Sequence, residues 1–258
     1  MKKYLVKIVI PVYKAKFSDL EMRALSQAYT VLKQYPIYIV KPESLNLSSL
    51  HEHYPNLRFE SFDDSYFVNI QGYNRLMLSY EFYSRFLDSD YILIYQLDAF
   101  VFRDELSFWC SKGYDYIGAP WLKNPINKRP ILSTIHHLSF RCAQISHKKS
   151  RQSLYNKVGN GGFSLRKVTS FCKATHIYGS KINDYQQHKQ FHLYNEDVFW
   201  ATEIPDFSYP DAMEALRFAF DTRPQHSFRL TDGQLPFGCH GWYKRKMKRF
   251  WQPIIGFS

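Results

Sequence analysis

The sequence holds no apolar stretch approaching the length of a transmembrane helix, so no membrane-spanning helix is expected. It has only four cysteines, Cys110, Cys142, Cys172 and Cys239, and no CxxC pair. That spacing fits neither a zinc site nor a disulfide framework, and free thiols in a reducing compartment are expected. There is no internal repeat, no low-complexity linker, and no Walker or dinucleotide fingerprint. Acidic residues are in deficit: 23 Asp and Glu against 34 Lys and Arg leave a formal charge of +11. An anionic partner follows, whether nucleotide, nucleic acid, membrane surface or anionic glycan. The opening Met1-Lys-Lys-Tyr-Leu-Val-Lys-Ile-Val-Ile-Pro11 lacks a small-residue cleavage site, and Lys7 and Pro11 interrupt its apolar segment. It reads as a first strand over residues 4–10 rather than a secretory leader.

What the chain has in excess is aromatic side chains, 18% of its 258 residues. Some stack around planar or sugar-like ligands, and most belong in a core. The most informative run is Tyr91-Ile-Leu-Ile-Tyr-Gln-Leu-Asp-Ala-Phe-Val-Phe102, apolar throughout but for Gln96 and the lone carboxylate Asp98. Residues 91–95 read as a fully buried strand, because no polar alternation interrupts them. Buried parallel strands present ligand-facing groups at their carboxyl ends, and an ionised group there needs a pair or a metal. Asp98 therefore delivers one charge into a cleft, unless it only caps a loop or pairs with an arginine.

Strands and helices alternate along the first half. Ser18-Asp-Leu-Glu21 is a capping box, and Leu20, Ala24, Ala28 and Leu32 step along one helical face. Ile37-Tyr-Ile-Val40 is a short strand stopped by Pro42, and residues 72–88 carry Leu76, Tyr80, Tyr83 and Leu87 at helical spacing. After the Asp98 strand, Asp104 caps a short helix bearing Leu106, Phe108 and Trp109, and Asp115-Tyr-Ile-Gly-Ala-Pro-Trp121 is a strand ending in a turn. This order predicts an α/β domain with a mostly parallel central sheet flanked by helices. Residues 122–157 are polar and basic, with His136, His137, His147, Lys148, Lys149 and Arg151, and read as a lid or binding loop.

Three later clusters can carry chemistry. Gly159-Asn-Gly-Gly162 lets the backbone approach a ligand closely, or makes a tight turn before a strand. Asn195-Glu-Asp197 places an N-cap and two acids at a helix start, where acids are also favoured for purely structural reasons. One of those carboxylates can instead point into a cleft as a general base. His240, in Phe237-Gly-Cys-His240, is a structural imidazole or a ligand for a borderline divalent ion.

Taken together these clusters resemble the GT-A glycosyltransferases, most closely a family of bacterial proteins catalogued mainly as a domain of unknown function. The resemblance rests on Ile10-Pro-Val-Tyr-Lys14, Gly72-Tyr-Asn-Arg75, Gln96-Leu-Asp98, Asp115-Tyr-Ile-Gly-Ala-Pro-Trp121, Gly159-Asn-Gly-Gly-Phe163, Asn195-Glu-Asp197 and Phe237-Gly-Cys-His240. It spans residues 8–243. It implies a single GT-A domain over residues 1–243 and a basic aromatic tail over 244–258.

The resemblance also implies roles. Pro11, Val12 and Tyr13 would lie against the base and ribose of a nucleotide-sugar donor, with Asn74, Arg75 and Gln96 among its contacts. Asp98 would be the surviving carboxylate of an Asp-x-Asp metal motif, and His240 the late ligand of Mn2+ or Mg2+. Gly161 and Gly162 would line the sugar or acceptor pocket. Asp197, with Glu196 beside it, would stand at the catalytic-base position of inverting members. The implied reaction moves a sugar from a nucleotide diphosphate, a UDP-sugar first, to a saccharide or lipid-linked glycan in surface-polysaccharide or lipopolysaccharide assembly.

One departure is that Phe100 occupies the place of the motif's second Asp. A lone carboxylate holds such ions weakly, and Arg75, Arg166 or Lys167 are candidates to replace the ion electrostatically. In the tail, Lys244, Arg245, Lys246, Lys248 and Arg249 have Trp242, Phe250 and Trp251 around them. They suit either peripheral contact with an anionic inner leaflet of the plasma membrane or a helix packed back on the domain. The expected localisation is cytoplasmic. No recognised motif supports nucleic-acid binding. A GT-A-like module that only binds glycan or nucleotide is the alternative to an enzyme.

Overall fold

A computed structural model describes residues 3–123, 151–188 and 192–257. Most of the loop expected over residues 122–157, with His136, His137, His147, Lys148 and Lys149, lies outside the described residues.

Six strands form the main sheet in the order β3-β2-β1-β4-β7-β6: β1 (Tyr4–Pro11), β2 (Ile37–Pro42), β3 (Leu57–Phe62), β4 (Ser89–Tyr95), β6 (Tyr116–Gly118) and β7 (Phe163–Lys167). β1 to β4 are mutually parallel, and β7 runs antiparallel to both β4 and β6. A second sheet holds β5 (Ala99–Val101), β9 (Gly238–His240) and β8 (Ala219–Phe220), in that order. The α/β class and mostly parallel sheet agree with the sequence; β3 and the second sheet were not foreseen. Their strands are short or half-polar, and no period separates them from loops.

Helices cover both faces of the main sheet, which is why β1 and β4 are apolar without alternation. On one side Ala24 and Ala28 of helix Asp19–Val31 and its capping residue Leu32 pack with Trp242 and Trp251, and on the other Phe82, Tyr83, Phe171 and Trp200 form a second cluster. The helix Asp19–Val31 starts at the expected capping box, with Ser18 and Glu21 bonding reciprocally. Lys7, the charge that interrupts β1, is only 2% exposed. Its ammonium pairs with Asp88 and sits 4.6 Å from the centre of the Tyr38 ring.

One element differs from the sequence reading, and the tail takes one of the two arrangements expected of it. The helix expected over residues 72–88 is two helices, Ile70–Met77 and Tyr80–Ser84, because the Ser79 hydroxyl accepts from the Phe82 N–H and starts a new cap. The C-terminal residues form the helix Arg245–Ile255, whose Met247, Trp251 and Ile255, four apart, enter the core of the domain. Arg23 ties its end down by donating to the Gly256 carbonyl at 2.9 Å. Among the described residues no helix is long and apolar enough to cross a membrane.

Candidate active site

Strand register assembles the centre of the site. β5 and β9 pair antiparallel with Ala99 opposite His240, and the Asp98 carbonyl accepts from the Gly241 N–H at 2.7 Å. His240 thereby reaches Asp98, with Nε2 at 2.9 Å from Oδ1. Its Nδ1 faces Asp221 Oδ1 at 3.2 Å, and Asn160 donates to the other Asp221 oxygen at 3.1 Å. Lys244 brings its ammonium to 2.7 Å from Asp98 Oδ2. Asp221 and Lys244 were not foreseen. Asp221 follows the apolar run Phe218-Ala-Phe220 much as Asp98 follows its own, and that signal was available.

These contacts set the charges. Burial works against an ionised Asp98, but His240 and Lys244 outweigh it and hold the carboxyl well below the usual range. Burial likewise opposes a charged His240, yet the Asp98 charge and the Asp221 hydrogen bond push its pKa up to about 9.

Asp98 closes one end of a cleft of about 470 Å³ whose lining includes Pro11, Val12, Tyr13 and Gln96. Five of the residues assigned to donor and metal thus meet in one place. Lys14, Tyr73 and Tyr243 join them, and Lys14 is held by Glu21 at 2.8 Å. The rim is apolar and open: Tyr13 is 64% exposed, Val68 75% and Ile70 66%. Gln96, not Phe100, shares the cleft with Asp98. Phe100 points to the core, its ring 5.6 Å from that of Trp242.

Asp197 lies on the far side of the Gly-rich segment and lines a second, larger pocket of about 910 Å³. Its carboxylate accepts from the Gly161 N–H at 3.3 Å and the Val198 N–H at 2.8 Å. Burial, then the neighbouring Glu196 charge, raises its pKa to about 7 against these two bonds.

Several assignments are corrected. Glu196 is not at the cleft: its Oε1 meets Arg166 at 2.9 Å, and the two side chains are 4% and 0% exposed. The helix direction that turns Asp197 outward turns its neighbour inward. Arg166 is therefore a buried counter-charge, Arg75 faces outward to the Ser65 carbonyl at 3.2 Å, and Lys167 lies 3.9 Å from Asp115. None of the three lies at Asp98, where Lys244 does. Asn74 does not line the cleft either. Its Oδ1 accepts from the Glu196 N–H at 3.1 Å, supplying the cap that Asn195 does not provide from its own side chain. Gly161 and Gly162 are buried and line neither pocket. A Cβ on Gly161 would strike Glu196, and one on Gly162 would strike the His240 ring, so their role is to let those side chains approach the backbone.

The donor set is compatible with a divalent ion only in part supplied by protein. His240 Nε2 is buried and lacks an aligned hydrogen-bond partner, although the Asp98 oxygen is 2.9 Å away. An imidazole nitrogen and a carboxylate oxygen converging in this way suit Mn2+ or Mg2+ if oxygens of a bound diphosphate complete the shell. Among the described residues no three His, Cys, Asp or Glu side chains form a metal cluster.

The mostly parallel central sheet flanked by helices matches the fold of the GT-A glycosyltransferases. The chain superposes on the galactosyltransferase LgtC, solved with donor and acceptor sugar analogues, with a TM-score of 0.58 at 13% identity over 97% of this chain and 95% of that one. Mouse xyloside xylosyltransferase 1 gives 0.52 at 12% identity over 93% and 98%. Core-mannan synthase A from Aspergillus fumigatus, in an Mn/GDP form, gives 0.51 at 9% over 77% and 69%. At these identities the likeness is one of fold. No curated protein matches the sequence. A family model does, over residues 56–240: the chain belongs to the family described as a protein of unknown function (DUF5672).

Proposed function

We propose that the protein is a glycosyltransferase that moves a sugar from a nucleotide diphosphate donor, a UDP-sugar first, to a saccharide acceptor. The observation that carries this is the meeting of Asp98, His240 and Lys244 at the end of a cleft with an apolar, aromatic rim, one backbone segment away from Asp197. A nucleoside base fits against Tyr13, Val68 and Ile70. The diphosphate then reaches the Asp98 end, where His240 and Lys244 offer positive charge to the departing nucleotide. A divalent ion held by Asp98 and a deprotonated His240 would, when bound, replace the imidazolium charge and supply Lewis-acid neutralisation of that leaving group.

Asp197 takes the proton of the acceptor hydroxyl. Its carboxyl, raised to about 7, is poised between acid and base near neutrality, which suits this task. The acceptor oxygen forms its bond to the anomeric carbon as the bond to the diphosphate breaks, so the product has the opposite anomeric configuration. Assembly of a surface polysaccharide is the setting this chemistry fits.

The test is thermal stabilisation of the purified protein by UDP, GDP, CMP and TDP, each with and without Mn2+. A ligand that binds only the folded state raises the melting temperature. A shift with one nucleotide identifies the donor class, and its Mn2+ dependence reports on Asp98 and His240. No shift with any nucleotide overturns the transferase reading and leaves a glycan-binding module.

A further inference from the structure

Resting on the transferase reading, we infer that the pocket beside Asp197 receives the acceptor, and that this acceptor is a saccharide bearing fixed negative charge, as carboxylate or phosphate. The pocket holds about 910 Å³, with Asn160, Asn195 and Asp197 among its lining. Arg223, Arg229, Lys246 and Arg249 line it too, four cations against the single carboxylate of Asp197.

Elsewhere on this basic surface, several exposed cations are matched. Arg85 meets Glu60 at 2.7 Å, Lys181 meets Glu203 at 2.7 Å and Lys112 meets Glu214 at 3.0 Å. Among the described residues, none of the four pocket cations pairs with a carboxylate. Concentrated around a concavity, they leave a field that attracts and orients an anion.

The cations are also held in place. Lys246 and Arg249 stand three apart on the helix Arg245–Ile255, on the opposite face from the buried Met247, Trp251 and Ile255. The Phe250 ring meets Phe228 of the helix Pro224–Leu230 edge-on, at 5.6 Å between centroids, which joins the two basic walls. Arg223 adopts a left-handed backbone (φ 62°) just before Pro224 and donates to the Leu122 carbonyl at 3.1 Å. That conformation is unfavourable for a side chain with a Cβ, and it directs the guanidinium across the pocket mouth.

Shape separates a saccharide from a membrane. A flat anionic surface meets the rim cations but cannot descend to Asp197, whereas a sugar ring can place a hydroxyl there and its acidic group on the walls. The four cations therefore select the acceptor and do not take part in bond making.

The test is titration calorimetry of the 258-residue protein with trigalacturonate against its fully methyl-esterified form, and with a mannotriose 6-phosphate against mannotriose. Each pair shares a skeleton and differs in charge. At least one charged sugar is expected to bind ten-fold or more tightly than its neutral partner. The exposed-residue variant Arg229→Gln/Lys246→Gln should abolish that preference. The control Lys33→Gln/Lys173→Gln, with the same loss of charge elsewhere, should keep it. Equal binding within both pairs, no binding by any sugar, or a preference that survives Arg229→Gln/Lys246→Gln overturns the proposal. So does binding of phosphatidylglycerol vesicles that needs Lys246 and Arg249 while no charged sugar is preferred, since this face then docks a membrane. Nucleotide-dependent melting of the same samples keeps the two readings apart. A UDP shift without charged-sugar preference sinks only the acceptor proposal, and the converse sinks the transferase reading and leaves the pocket as a binding site for a charged saccharide.

Discussion

His240 Nε2 lies 2.9 Å from Asp98 Oδ1 without the alignment of a hydrogen bond, while Nδ1 on the same ring is held by Asp221 at 3.2 Å. One imidazole thus sits between two carboxylates, and its charge depends on both.

This arrangement predicts a pH dependence of stability. His240 has a folded pKa raised to about 9 from 6.5, so the folded state holds its proton more tightly than the unfolded chain. The stabilisation is complete below pH 6.5 and is lost as pH rises through 9. Asp98→Asn removes the larger attraction and should bring the His240 pKa down. The His240 Cε1 proton, followed by NMR titration, is expected to show its midpoint shift to lower pH. An unchanged midpoint would mean that Asp221 alone controls the ring.

Asp197→Asn should abolish sugar transfer, with a fall of about 10²–10⁴-fold in kcat if proton abstraction limits the rate. In the native protein, kcat should rise with pH through about 7 as the carboxyl ionises. The folded state prefers the protonated form, so the native protein should also lose stability as pH rises from 3.8 to about 7 and level off above, and the Asn variant should not. Proton NMR of the newly formed linkage checks the stereochemistry: retention of anomeric configuration would remove Asp197 as the base of a single displacement.

Glu196→Gln is expected to act on stability. It leaves the buried Arg166 without its counter-ion, and breaking a buried pair costs about 3–5 kcal/mol. Denaturant unfolding should show a loss of that order. The folded fraction should keep its nucleotide affinity. A variant of native stability that has lost kcat would return Glu196 to a catalytic role.

Gly162→Ala places a methyl against the His240 ring. Overpacking at such a contact costs about 1–3 kcal/mol, and the ring must move from Asp98 to relieve it. Circular dichroism melting should show the destabilisation, and the His240 pKa should fall together with nucleotide binding. Normal binding in the Ala variant would show that the His240–Asp98 contact is dispensable.

Much of the scaffold was legible in the residues because its signals are local. The apolar run of β4, the capping box of Ser18 and Glu21, and the stepping of Ala24, Ala28 and Leu32 each follow from short-range sterics and periodicity. The break at Ser79 was missed because a hydroxyl that restarts a helix looks, in sequence, like one more helical position. The donor cleft was legible in part. Pro11, Val12, Tyr13, Gln96 and Asp98 sit at the carboxyl ends of β1 and β4, adjacent strands whose register follows from parallel pairing.

By itself, then, the sequence determined the strands and helices with strong local signals, such as β1, β4 and the helix capped by Ser18, and some of the residues that bring chemistry to their ends. Tertiary structure alone decided which charges meet. Glu196 and Asp197 are neighbours in the chain, yet one enters the core against Arg166 and the other opens on a pocket, because one step along a helix turns a side chain by about 100°. Lys244 reaches Asp98, and Arg75 does not, through the antiparallel register of β5 and β9 and the packing of the C-terminal helix into the core through its own Trp251. Long-range register leaves no local periodicity to read, and only the folded chain expresses it.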